Sequence, residues 1–240
     1  MARRRFFVPE IRRNVAELIG PDAEHLIRVL RVEPGQRFEI SDNKNVYLAE
    51  VETARKSHVE FRTVEPIASK PAQFQLTLMA ALFKFDHFEW MIEKATELGV
   101  STIQPVDATR TERGLAQASA KRLPRWERIA LEASQQSRRD YLPHIEPIIR
   151  FAKSLEIAAD TRLLLDESVD VPPILRCLPT ERTTNAHIAV LLGPEGGWTD
   201  EERKEAIAAG WQSCSLGSTI LRAETAAIAA LAIVGAWAAG

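Results

Sequence analysis

Two glycine-bearing segments in the last fifth of the chain have the residue types and spacing best suited to holding a small molecule. The first is Leu191-Leu192-Gly193-Pro194-Glu195-Gly196-Gly197-Trp198. The second is Ser215-Leu216-Gly217-Ser218-Thr219-Ile220-Leu221-Arg222-Ala223-Glu224-Thr225-Ala226. Each follows an apolar run with strand character and leads into a helical pattern. Glycine lets backbone approach a ligand closely or take up positive φ, and the amides and carbonyls of such loops can read an adenine edge without side chains. The dinucleotide spacing G-x-G-x-x-G and the phosphate-loop ending G-K-[ST] are both absent. Glu195 is the polar residue inside the first turn, and Arg222 and Glu224 stand at the mouth of an apolar helix. By spacing alone, each segment is equally an ordinary strand–turn–helix junction, and Arg222 with Glu224 equally a surface ion pair.

Other chemistries find little support. The five histidines (His25, His58, His87, His144, His187) are scattered, without H-E-x-x-H or Cys–His ligand spacing. They are expected to be structural or exposed, and no metal is expected. Cys177 and Cys214 form neither a ligand pattern nor a disulfide framework. No G-x-S-x-G elbow or carboxylate pair is present. The 240 residues, 45% hydrophobic and 27% charged, fit an ordinary soluble protein of one or two domains. The apolar tail Ala226–Gly240 is short for a membrane span and rich in alanine, so a buried helix and no membrane partner are expected. Residues 1–8 lack the apolar core of a secretory signal, and a cytoplasmic location is expected.

The net charge of −2 argues against wholesale coating of nucleic acid. Charge is nonetheless unevenly spread. Residues 1–37 hold eight arginines against five acids, and residues 110–139 hold eight basic residues against three acids. The planar guanidinium fork suits phosphate. Either cluster alone is equally a solvated face; the two together favour a polyanionic partner.

The elements that must position these residues fall into two parts. Residues 36–41, 46–53 and 58–64 alternate or run apolar as strands, with Asp42-Asn43-Lys44-Asn45 as a hairpin turn. A short helix is expected over 22–31 and a linker at 66–71. Beyond it strands and helices alternate: strands at 75–82, 102–106, 162–165, 187–192 and 212–216, and a helix over 223–239. Asp86-His87-Phe88-Glu89 and Thr199-Asp200-Glu201-Glu202 have capping-box form. The first opens a helix with Phe88, Met91, Ile92, Ala95 and Leu98 on one face, ending at Gly99. The second opens a helix that closes at Gly210. A long helical region over 118–138 is expected to break at Pro124. The alternation argues for a mostly parallel α/β sheet, whose ligands sit at strand C-terminal ends.

Taken together, Leu192-Gly193-Pro194-Glu195-Gly196-Gly197 and Leu216-Gly217 with Ile220-Leu221-Arg222-Ala223-Glu224-Thr225-Ala226 resemble the paired cofactor loops of a SPOUT-class RNA methyltransferase family. That family is the 16S ribosomal RNA (uracil-1498) N3-methyltransferases, known as RsmE. The resemblance runs the length of the chain. Arg4-Arg5-Phe6-Phe7-Val8 and His25-Leu26-Ile27-Arg28-Val29-Leu30-Arg31 are similar to its N-terminal PUA-like segment. Glu93-Lys94-Ala95-Thr96-Glu97-Leu98-Gly99-Val100, Arg110-Thr111-Glu112-Arg113 and Glu132-Ala133-Ser134-Gln135-Gln136-Ser137-Arg138 resemble its central motifs. The chain departs from the pattern at Thr219, where the family usually has a basic residue, and at Asp42-Asn43-Lys44-Asn45, where its hairpin turn usually contains a glycine.

The resemblance implies a PUA-like β-barrel RNA-binding domain over residues 1–70. It implies a SPOUT methyltransferase domain over 71–240, α/β with a parallel sheet and a C-terminal trefoil knot. It further implies S-adenosylmethionine as cofactor, a homodimer, and 16S ribosomal RNA or the small ribosomal subunit as partner. The cofactor residues implied are Leu192, Gly193, Pro194, Glu195, Gly196, Gly197, Leu216, Gly217, Ile220, Leu221 and Thr225. Arg222 and Glu195 would stand at the chemistry, Arg222 stabilising charge on the uracil carbonyl. Arg4, Arg5, Arg12, Arg28, Arg31, Arg110, Arg113 and Arg138 would grip RNA. The proton acceptor stays open between Glu195 and solvent. A methyltransferase acting on another RNA, or an RNA-binding assembly factor without catalysis, are the competing readings.

Overall fold

The computed structural model describes residues 4–68, 74–168, 170–183 and 185–240. They divide into two units, one drawn from Met1–Pro71 with Ser134–Leu142, the other from Ala72–Ala133 with Pro143–Gly240. In the first, the elements are β1 (Arg5–Phe7), β2 (Ile11–Arg12), β3 (Val15–Ile19), α1 (Pro21–Arg28), β4 (Arg37–Ser41), β5 (Val46–Arg55) and β6 (His58–Ile67). The strands form a six-stranded sheet in the order β1-β4-β5-β6-β3-β2, antiparallel except for β1 on β4. Its core gathers Phe6, Leu26, Ile40, Val51, Val59 and Phe61. Alternation puts Val59 and Phe61 inside while Arg62 stays exposed.

The expected hairpin forms at β4–β5. Asp42 Oδ1 accepts from the Lys44 and Asn45 amides at 3.0 and 2.7 Å, and Asn43 takes φ 65°. Strands β1 to β3 are too short to show periodicity in the sequence. The expected linker is corrected in part: Pro66 belongs to β6, opposite Tyr47. It is tolerated there because the β3 pairing ends at Arg62, leaving that edge with no partner for a proline to deny. The rest of the expected linker, residues 69–71, lies outside the described residues.

The segment Ser134–Leu142 joins this unit through polar contacts. Ser41 Oγ donates to the Asp140 carbonyl at 2.6 Å and the Leu142 amide donates to Asn43 Oδ1 at 2.9 Å. Arg5, only 6% exposed, bonds Glu39 at 2.9 Å, the Arg138 carbonyl at 2.9 Å and the Asp140 carboxylate. A guanidinium so enclosed needs that many acceptors to offset its lost hydration.

The second unit contains β7 (Phe74–Ala81), α2 (Phe85–Glu97), β8 (Thr102–Asp107), α3 (Leu115–Ser137), β9 (His144–Ile145), β10 (Ile149–Arg150) and α4 (Phe151–Ser154). These are followed by β11 (Thr161–Leu165), α5 (Ile174–Cys177), β12 (Ala186–Leu192), α6 (Asp200–Ala208), β13 (Gln212–Cys214) and α7 (Ala223–Ala239). All pairings are parallel, in the order β10-β8-β7-β12-β11-β13 with β9 beside β8. The central strands are apolar on both faces, as a sheet covered on both sides requires. One face packs Phe88, Met91, Trp126, Ala227 and Leu231 from α2, α3 and α7. The other packs Phe151, Trp198, Ala206 and Trp211.

Two helix expectations are corrected. Helix α2 starts at Phe85 with Lys84 as N-cap and no side-chain cap, so Asp86 closes no capping box. Glu89 instead turns inward and accepts from Arg122 Nη1 at 3.2 Å and Arg125 Nε at 2.7 Å of α3. Two charge-assisted bonds outweigh one backbone amide. Helix α3 continues through Pro124. The lost bond there is outweighed by burial of Trp126, Ala130 and Ala133 immediately beyond it. The box at Thr199 and Glu202 forms as expected. No helix among the described residues is long and apolar enough to cross a membrane.

Removing the Arg5 guanidinium takes its bonds from Glu39 and Asp140 in a half-buried setting. Arg5→Ala is expected to lower unfolding free energy by about 3 kcal/mol, read by urea denaturation. Arg5→Lys should recover less than half, because one ammonium cannot reproduce the planar fork.

Candidate active site

Parallel pairing brings the C-terminal ends of three neighbouring strands together. Leu164 of β11 sits opposite Leu191 of β12, and Leu165 opposite Cys214 of β13. The chain leaving each end walls one cavity of about 490 Å³, within the roughly 300–1,000 Å³ usual for small-molecule sites. The walls are Leu165–Glu167 after β11, residues of 192–198 after β12, and residues of 216–226 after β13, with Lys84 and His87 at the start of α2. The location is the one open α/β sheets favour.

Internal bonds shape the loop after β12. The buried Trp198 indole donates through Nε1 to the Leu165 carbonyl at 2.9 Å. The Gly197 amide donates to the Pro194 carbonyl at 2.8 Å, and Gly197 takes φ 69°. At Gly193 a Cβ would lie 3.0 Å from Trp198 Cε2, against an indole that its own bond holds still. Arg110 Nη1 donates to the Gly196 carbonyl at 2.7 Å and more weakly to that of Trp198 at 3.4 Å.

The wall after β11 is the part sequence reasoning missed. Asp166 is 8% exposed; its carboxylate accepts from Arg203 Nε at 3.0 Å and from the Ser168 amide and hydroxyl at 3.0 and 2.7 Å. Its only sequence signal was two acids directly after an apolar strand, Leu163-Leu164-Leu165-Asp166-Glu167. The wall after β13 ends at Arg222, the N-cap of α7, whose carbonyl accepts from the Ala226 amide at 2.8 Å. Glu224 does not pair with Arg222. It is 4% exposed and its Oε1 lies 3.0 Å from His87 Nδ1, within hydrogen-bond distance, so the surface pair that spacing allowed is not formed.

Of the expected cofactor residues, Leu192, Gly193, Pro194, Glu195, Gly197, Leu216, Gly217, Ile220 and Leu221 line the cavity together, as does Arg222. Thr219, the departure from the family pattern, lines it too. Gly196 and Thr225 do not. Gly196 gives its carbonyl to Arg110, and Thr225 is exposed on the first turn of α7. The floor holds Cys214, whose thiol burial, above all, pushes up to about 12, with Cys177 and Asp166 adding to the effect. It is a neutral thiol at physiological pH, which removes covalent addition of a thiolate to a pyrimidine from the available chemistry.

The expected RNA contacts separate by burial. Arg4, Arg12, Arg28, Arg31 and Arg113 are exposed, with Arg12 and Arg28 paired to Glu10 and Glu24 at 2.8 and 3.8 Å. Arg138 is exposed and pairs with Glu39 at 3.3 Å. Arg5 is corrected to a buried structural cation, for the reason given above. Arg110 holds loop carbonyls, which engages part of its fork.

The parallel α/β sheet has its loop-walled cavity at the strand ends, and the family matches of the chain make it an RNA methyltransferase. Residues 70–235 match the RNA methyltransferase domain family, and residues 18–64 the RNA methyltransferase PUA domain family. The chain belongs to the ribosomal RNA small subunit methyltransferase E family. It is 36% identical to the Synechocystis sp. ribosomal RNA small subunit methyltransferase E, over 98% of this chain and 78% of that one. The Neisseria gonorrhoeae ribosomal RNA small subunit methyltransferase E, solved bound to S-adenosyl methionine, superposes with a TM-score of 0.86. Its sequence is 31% identical, and 98% of each chain is covered. A structure from Legionella pneumophila with bound cofactor SAM gives a TM-score of 0.89 at 26% identity, over 99% of this chain and 98% of that one.

Two outcomes follow from the loop packing and the thiol. Gly193→Ala should push the Trp198 indole off the Leu165 carbonyl and weaken binding of S-adenosylmethionine at least tenfold, about 1.4 kcal/mol, in calorimetry. Native protein treated with iodoacetamide at pH 8 should leave Cys214 unalkylated in peptide mass spectra, because the thiol is fully buried and burial pushes it up to about 12.

Proposed function

We propose that this chain transfers a methyl group from S-adenosylmethionine to N3 of a uridine in 16S ribosomal RNA, the uracil-1498 of the family name. The observation that carries the reading is the cavity walled by loop backbone after β11, β12 and β13, in a chain of this family.

The residues present fit the cofactor. Backbone around Gly193, Leu216 and Leu221 offers amides and carbonyls to adenosine. At Gly193 a Cβ would meet the Trp198 indole at 3.0 Å, so this stretch of wall is bare backbone. Leu165, Leu192, Cys214 and Ala226 make an apolar floor for a base. Asp166, Glu167 and Glu195 supply negative charge suited to a sulfonium and an ammonium. When bound, S-adenosylmethionine supplies an electrophilic methyl carbon on sulfur. The chain's own part is to hold the uracil in line with that carbon, a contribution of up to roughly 7–11 kcal/mol in favourable cases. Arg222, exposed at the cavity and in no ion pair among the described residues, is placed to stabilise negative charge gathering on a uracil carbonyl.

The wider assembly belongs to the same reading. Residues 1–70 act as the PUA-like RNA-binding domain and 71–240 as the methyltransferase domain, with the exposed arginines meeting phosphate, which positions without reading sequence. A trefoil knot is supported by the path of the chain end, which leaves β13 at the sheet edge and returns as α7 to pack on α2. A homodimer is supported by the small exposed side chains Thr225, Ala232 and Ala236 along α7 and by Ile220, 81% exposed at the cavity. A cytoplasmic location agrees with a ribosomal RNA substrate.

The test is methyl transfer from labelled cofactor to 16S RNA or small subunits prepared from a strain lacking the modification. N3-methyluridine in the nuclease digest is expected. Absence of transfer, with no cofactor binding at millimolar ligand, would favour a non-catalytic RNA-binding protein. Arg222→Ala should lower turnover about 10²-fold while cofactor affinity stays near wild type. Equal loss of both would make Arg222 a cofactor-site residue instead.

A further inference from the structure

We propose that His87, oriented by Glu224, accepts the uracil N3 proton during methyl transfer; the inference rests on the methyltransferase reading above. His87 reaches the cavity wall from the first turn of α2, with 36% of its side chain exposed. Its Nδ1 lies 3.0 Å from Glu224 Oε1, and the Glu224 side chain is only 6% exposed at the start of α7. A helix N-terminus favours a carboxylate, and an ionised carboxylate only accepts. Nδ1 therefore carries the hydrogen and Nε2 the lone pair. The nearest acid to Nε2 is Asp86 Oδ2 at 3.8 Å, beyond hydrogen-bond reach. Nε2 is left as an acceptor on a group that borders the cavity.

The other titratable groups around the cavity serve less well. Lys84 and Arg222 are cations that can stabilise the uracil carbonyls but cannot take a proton. Asp166 is held by Arg203 and Ser168. Glu167 stands against Gly197, and Glu195, exposed, is a carboxylate, weaker as a base than imidazole by about two pH units in model compounds. Among the described residues Asp86 and Glu224 are the acids recorded within 4 Å of the His87 ring, and Lys84, Asp166, Glu167, Glu195 and Arg222 line the same cavity.

In the step, the N3–H bond breaks and its proton passes to Nε2. The N3 electron pair forms the bond to the methyl carbon, and the carbon–sulfur pair stays on sulfur. The sulfonium charge is thereby replaced by the imidazolium charge, beside the Glu224 carboxylate. A plain clamp between α2 and α7 would explain the burial of Glu224. It does not by itself account for an imidazole that lines the cavity with no hydrogen-bond partner for Nε2 among the described residues.

The experiment has a spectroscopic and a kinetic arm. In ¹⁵N-histidine-labelled protein, the His87 resonances, assigned by their loss in His87→Gln, should report the Nδ1–H tautomer; the Nε2–H tautomer overturns the proposal. Wild-type kcat/KM on 16S RNA should fall on the acid side of its pH profile. His87→Gln should remove that limb and lower the neutral-pH value about 10²–10⁴-fold, with cofactor affinity by calorimetry unchanged. Added imidazole should restore turnover to His87→Ala. A variant that keeps the wild-type rate and limb overturns the assignment, as does one that loses activity without imidazole rescue. Wild-type protein that binds cofactor but leaves 16S RNA unmethylated would instead remove the parent reading, and this inference with it.

Discussion

The hydrogen bond from the buried Trp198 indole to the Leu165 carbonyl, 2.9 Å long, joins the loop after β12 to the end of β11, and the cavity depends on it. Both partners are inside the protein, so an unmade bond would leave a desolvated donor and acceptor at once. The indole in turn occupies the space that any side chain at position 193 would need. From this one contact follow the glycine at 193, the tight Pro194–Gly197 turn and the start of α6 at Thr199. Arg110 fastens the same loop from its far side by binding the Gly196 carbonyl. Glu202 does so from below, closing the helix cap and accepting from the Thr109 amide at 2.8 Å.

The loop wall after β12 is thus braced by the side chains of Trp198, Arg110 and Glu202. Such a wall presents fixed dipoles that need no reorganisation when charge moves, which is what transfer of a cationic methyl group requires. The side chains of Glu195, Arg222 and His87 line the same cavity. Helix α7 connects rim and core, burying Ala227, Ala230, Leu231 and Val234 completely while Glu224 faces His87 across the α2 packing. Its alanines are small enough to let two helices approach closely, so the His87–Glu224 distance is set by core packing rather than by flexible loops.

In the N-terminal unit the same economy governs charge. An arginine cluster looks uniform in sequence, yet Arg5 is enclosed by Glu39, Asp140 and the Arg138 carbonyl while Arg4, Arg12, Arg28 and Arg31 face solvent. The enclosed one links the β sheet to residues 134–142, far away in sequence. Of the exposed ones, Arg12 and Arg28 stand beside Glu10 and Glu24.

The local grammar of the chain settled much of the second unit. The 223–239 helix, the Thr199 cap, the Gly99 and Gly210 helix ends, and the strands of 186–192 and 161–165 follow from periodicity, capping residues and runs of apolar type, all of which act within a few residues. The two glycine loops were legible for the same reason, since glycine marks backbone geometry wherever it stands. Contacts between distant segments were not. Asp86 has the form of a cap, but Arg122 and Arg125 on another helix draw Glu89 away. Pro124 has the form of a break, but the burial of Trp126 holds α3 through it. Glu224 looks like the partner of Arg222 two residues earlier, and only the packing of α7 on α2 turns it toward His87. The wall at Asp166 carries no glycine and becomes part of the cavity solely through the β11–β12–β13 register. The sequence by itself determined the elements and the loop backbones, because those depend on neighbours along the chain. Which side chains border the cavity, and which cations are withheld from RNA, was decided by tertiary structure, because desolvation and long-range pairing set the energy of a charge only once the core has closed around it.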